Sequence, residues 1–407
     1  MSDTPATAPA SRDPLGLVGL LILLMGVGAV ATGIYLPSLP TMRAELGATI
    51  WEAQLTLTVF FIGYAGAQLV TGPLSDRFGR RPTVLGGMAV FFVASVVCAL
   101  ADDVTLLSVA RFFQAAGACA SIVIPIAVAR DRHGPEGAAR LMATLAMATS
   151  LAPALGPVIG GYLEVGFGWR ASFVFLAAYG AVLILWIWFG LAETNRHPDP
   201  RALHPVPMLR NYGALLRHRV FLGYVACAGF QYAAIFTFVS GSSPVLIDLF
   251  GVAPDAFGYY YGAVFVGYTI GAALTRRLTR RFGIERSAFG GTATLAAGTV
   301  AMPVLALAGI DNVWAIVVPM FVFMVGMGIA YPNALAGAVG PFPRIAGAAS
   351  ALMGFLFMSL AAVGGSAVGA LYDRSQMPLA VIVAILGVAS LLSYWLLIWR
   401  HRSPAGD

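Results

Sequence analysis

Arg111 stands roughly two turns into an apolar run at about 104–130, and Gln114 follows one turn later. An arginine at the depth of a membrane-length helix costs about 2.5–3.5 kcal/mol on insertion scales, so its presence points to a function. Positions i and i+3 share a helix face. The two side chains can therefore offer one cavity a permanent cation beside an amide. Such a pair suits an anionic or polar neutral ligand. Other polar and aromatic residues at similar depth are Tyr35, Gln54, Tyr64, Gln68, Gln231, Tyr232, Phe236, Tyr331 and Asn333. They are expected to line that cavity, with Pro332 kinking the helix that carries Tyr331 and Asn333. No acid falls in the middle of any apolar run. Glu52, Glu164 and Asp248 lie at run ends and read as rim charges, with Glu52 the nearest candidate for coupling. One fixed cation without an acid disfavours organic cations and suits neutral or anionic compounds.

These residues need a membrane scaffold to place them. Of 407 residues, 59% are hydrophobic and 10% charged, with mean hydropathy +0.84. A water-soluble fold cannot cover its surface with so few charges. Twelve apolar runs of spanning length occur at about 15–39, 50–74, 82–101, 104–130, 138–163, 169–192, 219–247, 257–278, 287–309, 313–337, 345–372 and 378–399. All 24 basic residues are arginine, and only Arg43, Arg170 and Arg374 fall in one set of loops, against nine acids. The positive-inside rule then places both termini and the linker in the cytoplasm. The expected organisation is a tail at 1–14, six helices over 15–192, a linker at 193–218, six helices over 219–400 and a tail at 401–407. The fold class is all-α integral membrane.

Several functions are excluded. The net charge of +6 is spread over cytoplasmic loops and does not mark a nucleic-acid partner. His133, His197, His204, His218 and His401 are scattered, so no metal site is expected. Cys98, Cys119 and Cys227 sit singly in apolar runs and read as packing residues. No clustered catalytic groups, soluble output domain or phosphate-binding glycine loop is present, which argues against an enzyme, a sensor and direct ATP drive. No cofactor is expected, and the partners are a small-molecule substrate and the lipid bilayer, with the chain acting as a monomer.

The chain also repeats itself. Residues 58–79 and 262–283 match at eight of 22 positions without a gap, including Gly63/Gly267, Tyr64/Tyr268 and the closing Arg77-Phe78-Gly79/Arg281-Phe282-Gly283. The offset is half the chain, so two parallel six-helix halves are expected, with substrate held between them.

Motifs within this frame resemble a known family. Gly72-Pro-Leu-Ser-Asp76-Arg77-Phe-Gly79-Arg80-Arg81 is similar to motif A of the major facilitator superfamily, and Arg111-Phe-Phe-Gln114-Ala-Ala-Gly117 to its fourth-helix motif. Ala152-Pro-Ala-Leu-Gly156-Pro157-Val-Ile-Gly160-Gly161 resembles the fifth-helix antiporter motif. Ile34-Tyr35-Leu-Pro37-Ser-Leu-Pro40 is similar to the Bcr/CflA group of bacterial efflux proteins. The resemblance implies secondary efflux across the bacterial inner membrane, coupled to protons through Arg111 and a nearby acid. It also implies a conformational lock in which Asp76 meets Arg130 and the start of the eleventh helix, near Arg344 and Ile345. Gly72 is expected to let backbones approach there, and Arg77, Arg80 and Arg81 to anchor or pair. The antiporter glycines are expected to pack the fifth helix on the eighth, against Gly271 and Ala272. Gly33 and Ile34 stand where the group usually carries an acid. A voltage-driven or anion-exchange cycle therefore stays open, as do a drug, a siderophore-like metabolite and an importer.

Overall fold

The computed structural model describes residues 15–149, 152–200, 202, 205–342 and 345–399. Arg344 and both tails lie outside the described residues.

Among the described residues eleven helices are long and apolar enough to cross a membrane. They are α1 (Leu15–Glu45), α2 (Ile50–Phe78), α3 (Arg80–Ala99), α4 (Val104–His133), α5 (Arg140–Phe167), α6 (Arg170–Gly190), α7 (Arg219–Leu249), α9 (Ile284–Leu307), α10 (Trp314–Val339), α11 (Ala346–Leu371) and α12 (Met377–Leu397). The twelfth, α8 (Pro254–Phe282), has the length, but its four tyrosines and four glycines lower its hydropathy. It nevertheless packs on α5 and α10. The chain is all-helical among the described residues.

Packing follows the sequence repeat. In the first half α4 packs on α1, α2 and α3, and α3 on α6; in the second, α10 packs on α7, α8 and α9, and α9 on α12. The seams between halves are related likewise, α2 with α11 and α5 with α8. The shared Arg-Phe-Gly ending has a backbone reason. Gly79 and Gly283 close α2 and α8 at φ of 102° and 81°, which L side chains rarely adopt, so each helix turns directly into the next.

Two helices carry built-in breaks. After Gly33, α1 passes through a 3₁₀ turn at Leu36–Ser38 before Leu39–Glu45. Pro37 and Pro40 lack the N–H that an α-helix would use there. α7 ends in a π turn, Pro244–Leu249. A separate helix, Pro205–Leu216, lies in the linker and buries Tyr212 and Leu215 against α7, α10 and α11.

Small residues allow the closest crossings, as expected without a hydrophobic drive between helices in lipid. A Cβ on Gly160 would overlap the backbone of Ile34 in α1. Gly72, by contrast, faces open space, so it does not make the close approach expected of it in this arrangement. Gly160→Ala is expected to cut the yield of folded protein, since overpacking costs about 1–3 kcal/mol or more when backbone must move. Gly72→Ala is expected to leave the yield unchanged; monodisperse yield from detergent extracts checks both.

Candidate functional site

The Arg111 side chain is fully buried. Its Nη1 donates to the Ala31 carbonyl at 3.1 Å and to Gln114 Oε1 at 2.5 Å. Gln114 Nε2 donates to Ser95 Oγ at 2.7 Å, and Ser95 to the Phe91 carbonyl. The guanidinium lies 4.4 Å from the Tyr35 ring centre and 4.2 Å from that of Phe60, with Phe173 at 5.9 Å. The break in α1 supplies Tyr35, whose hydroxyl pairs with Thr56 at 3.2 Å. Arg111 Nε and Nη2 have no hydrogen-bond partner. Among the described residues no carboxylate pairs with this cation. Aromatic faces and two neutral acceptors offset its desolvation instead. Phe60 and Phe173 carry no sequence signal beyond apolar periodicity, so this cage was not legible in the sequence.

A second cluster joins the halves. Phe61 of α2 meets Phe236 of α7 edge-on at 4.7 Å, and Phe236 continues to Tyr232 at 4.6 Å. Tyr232 stacks on Tyr331 and Phe357, and its hydroxyl donates to Met358 Sδ at 3.9 Å. Tyr331 also meets Phe357 at 6.1 Å, and Tyr64 packs on Phe60 at 6.3 Å.

Other expected lining residues sit elsewhere. Gln231 points away from Tyr232 and donates to Ser390 Oγ of α12 at 3.2 Å and to Cys227 Sγ. Successive helical residues diverge by about 100°, so only one of the pair can face the centre. Asn333 donates back to the Ile329 carbonyl in its own helix. Gln54 is buried in the seam and donates to the Ser240 carbonyl of α7 at 3.3 Å. Gln68 lies against Gly354 of α11.

Glu52 is spent locally. Its carboxylate accepts from the N–H and hydroxyl of Thr49 in a capping box at the exposed start of α2. Glu164 is no solvated rim charge: it is 8% exposed, and Thr41 Oγ1 donates to it at 2.5 Å. Asp248 pairs with Arg43 across the halves at 3.5 Å. Tyr162 of α5 and Tyr259 of α8 also bond across the halves, at 2.7 Å.

The fifth-helix motif divides its contacts. Gly156 and Gly160 meet α1 at Gly33 and Ile34, and the Pro157 ring rests on Gly33. Gly161 meets Pro254 and Asp255 of α8, and Gly258 meets Pro157 and Val158. Gly271 and Ala272 instead pack on Gly328 of α10. They lie too far along α8 to reach these glycines: α5 crosses nearer its start.

Motif A forms a cluster at the Arg-rich end, within the first half. Arg80 Nη1 donates to Asp76 Oδ1, and Arg80 Nε to Asp131 Oδ2 at 2.9 Å. Asp131, next to the expected Arg130, is the α4 partner; Arg130 is exposed and outside the cluster. Arg77 lies over Phe78, and Arg81 donates to the Trp188 carbonyl at 2.7 Å. The start of the linker completes the cluster, against the expectation of a plain surface tether. Glu193 accepts from the N–H groups of Arg80 and Arg81 at 2.9 and 3.0 Å, capping α3. Asn195 Nδ2 donates to the Asp76 carbonyl at 2.9 Å.

Burial alone raises the Glu193 carboxyl, but backbone donors at Asn195, Arg80, Arg81 and Thr194 outweigh it and hold the group below the usual carboxylate range. Its folded pKa is thus depressed. The stabilisation is full above the ordinary value of about 4.3 and is lost as pH falls through the lower folded value. Glu193→Ala is expected to cost about 1 kcal/mol at neutral pH, as for other lost N-caps. The melting difference from the parent should shrink on acidification; a thermal melt series in detergent checks it.

A sequence model of the Major Facilitator Superfamily matches residues 21–365. The chain belongs to the major facilitator superfamily. This facilitator is 28% identical to a bicyclomycin resistance protein homolog of Haemophilus influenzae, over 96% of this chain and 97% of that relative. It is 31% identical to the multidrug resistance protein MdtL of Escherichia coli, over 85% and 87%. Among solved structures, the xylose transporter XylE from E. coli, in a partially occluded inward open conformation, superposes with a TM-score of 0.73 at 14% identity. That superposition covers 96% of this chain and 98% of XylE. The two-bundle, twelve-helix fold is therefore that of the superfamily.

Proposed function

We propose that this facilitator is a secondary active efflux transporter of the bacterial cytoplasmic membrane. Both termini and the linker lie in the cytoplasm, and the protein works as a monomer. The ligand is a small neutral or anionic compound that offers hydrogen-bonding groups and a face for stacking. One observation carries this reading: Arg111 is a buried cation with no carboxylate partner among the described residues, while an aromatic cluster, Phe61 against Phe236 and Tyr232, bridges the two halves. Such a wall attracts acceptors and aromatic faces and repels cations. The relatives named for drug and bicyclomycin resistance favour export over import.

The transport cycle follows from the seams. Substrate enters from the Arg-rich side while Arg43–Asp248, Tyr162–Tyr259 and Gln54–Ser240 hold the other face shut. Rocking of the halves about α2–α11 and α5–α8 then opens that face. The motif A cluster, here closed on itself, is free to meet α11 in the alternate state. Proton exchange drives the cycle.

Efflux from everted vesicles tests the proposal with chloramphenicol, a hydroxamate siderophore and a lipophilic cation, each with and without a protonophore. Protonophore-sensitive transport of the neutral or anionic probe is expected. Strong transport of the cation alone overturns the ligand class, and protonophore-resistant transport overturns the coupling.

A further inference from the structure

The seam between α2 and α11 does not close flush. A groove of about 680 Å³ runs along it, walled by Trp51, Ile62 and Gly66 of α2 and by Phe355, Val363 and Ala367 of α11. It extends from Trp51 to Gly66 on one helix and over Phe355–Ala370 on the other. At 1.5 Å per residue each wall is about 22 Å long. That exceeds one leaflet, since the whole hydrocarbon core is about 30 Å thick.

The wall chemistry narrows the occupant. Its hydroxyls are already engaged: Ser366 donates to Thr58 Oγ1 at 3.2 Å, and Ser359 to the Phe355 carbonyl at 2.8 Å. What remains for a polar ligand is small: hydroxyl lone pairs along the wall and the Trp51 indole N–H at its Arg-poor end. The rim is continuous with the lipid-facing surface, through Ile62 and Val70 on α2 and Val363 and Leu371 on α11, all well exposed. Trp51 marks the Arg-poor end, where an indole suits headgroup depth.

We propose that this groove binds one phospholipid acyl chain, entering from the Arg-poor leaflet with its headgroup near Trp51. Length, apolarity and continuity with the lipid surface fit an extended hydrocarbon chain. The site has a consequence for the cycle. α2 and α11 belong to opposite halves, so a chain touching both walls stabilises the arrangement in which they are spaced as here. Annular lipid lying over a single half makes no such bridge.

Gly66 provides a clean test, because a Cβ there meets nothing within 4 Å. Gly66→Phe places a ring in the groove from a position whose Cβ is free, and Gly66→Ala controls for the loss of glycine. The full chain is reconstituted with a phospholipid bearing a diazirine midway along one acyl chain, irradiated, and its adducts mapped by mass spectrometry. Adducts should concentrate on the groove walls. In Gly66→Phe they should fall there by about tenfold, as expected when roughly two methylenes' worth of buried contact is lost. Adducts on other lipid-facing helices and in Gly66→Ala should be unchanged. Even labelling around the surface, or groove labelling indifferent to Gly66→Phe, overturns the proposal. So does displacement of the lipid adducts by a transported drug, which would make the groove a substrate path. The test does not depend on transport, so its failure is separable from failure of the efflux reading.

Discussion

Arg111→Met is expected to abolish transport while leaving a folded protein. Among the described residues the native cation has no carboxylate partner, and two of its nitrogens are unpaired. Replacing a buried, incompletely paired charge by an apolar side chain of similar length is often neutral or stabilising. Methionine can lie between Tyr35 and Phe60 and keep favourable sulfur–aromatic contact. Opposing this, Gln114 Oε1 and the Ala31 carbonyl both lose their donor, at about 1–3 kcal/mol for each that stays unpaired. The two effects are of similar size, so the melting temperature should move little in either direction. Efflux should fall at least about tenfold, equivalent to 1.4 kcal/mol or more in the rate-limiting barrier. Arg111→Lys should also fail to restore full transport, because an ammonium cannot span the two rings and both acceptors as the planar guanidinium does. Wild-type export by Arg111→Met would reduce this arginine to a packing residue.

The second large effect is expected at the α5–α8 seam. A Cβ on Gly262 would stand 3.6 Å from the Cβ of Ala154, within the usual range for a disulfide. The pair Ala154→Cys with Gly262→Cys should oxidise readily and join the halves in the arrangement seen here. The native cysteines are buried and do not compete. Alternating access requires this seam to move, so transport should drop to background on oxidation and return on reduction. Each single variant should remain active. Full transport by the oxidised double variant, with the crosslink confirmed by mass spectrometry, would sink the rocking motion about this seam. The experiment needs no knowledge of the natural substrate, only one probe that is exported.

Much of the scaffold was readable from periodicity and composition. Lipid forces backbone groups to pair within helices, so long apolar runs could be little else, and even the tyrosine-rich α8 showed as a run. The half-chain repeat foretold two parallel six-helix halves, and the antiporter-like glycines foretold contact of the fifth helix with the eighth. The shared Arg-Phe-Gly ending supported the repeat, but the positive-φ turns at Gly79 and Gly283 came from the structure. Arg111 stood out because a cation at membrane depth is costly, and its link to Gln114 followed from i, i+3 spacing.

What surrounds these residues was settled only in three dimensions. Phe60 and Phe173 look like any other core aromatic until the break at Leu36–Ser38 swings Tyr35 beside them under the guanidinium. Gln231 and Tyr232 are neighbours in sequence, yet the helical turn sends one to Ser390 and the other to the centre. Asp131 rather than Arg130 joins Arg80, and Glu193 comes from the linker to cap α3 more than a hundred residues from it in sequence. Glu164 reads as a rim charge in the chain, but Thr41 and the bend of α1 enclose it. Sequence patterns report the solvent each helix face meets, because burial in lipid or protein acts on every residue separately. Partner choice between faces depends on helix rotation and crossing, which arise from the packing of all twelve helices together.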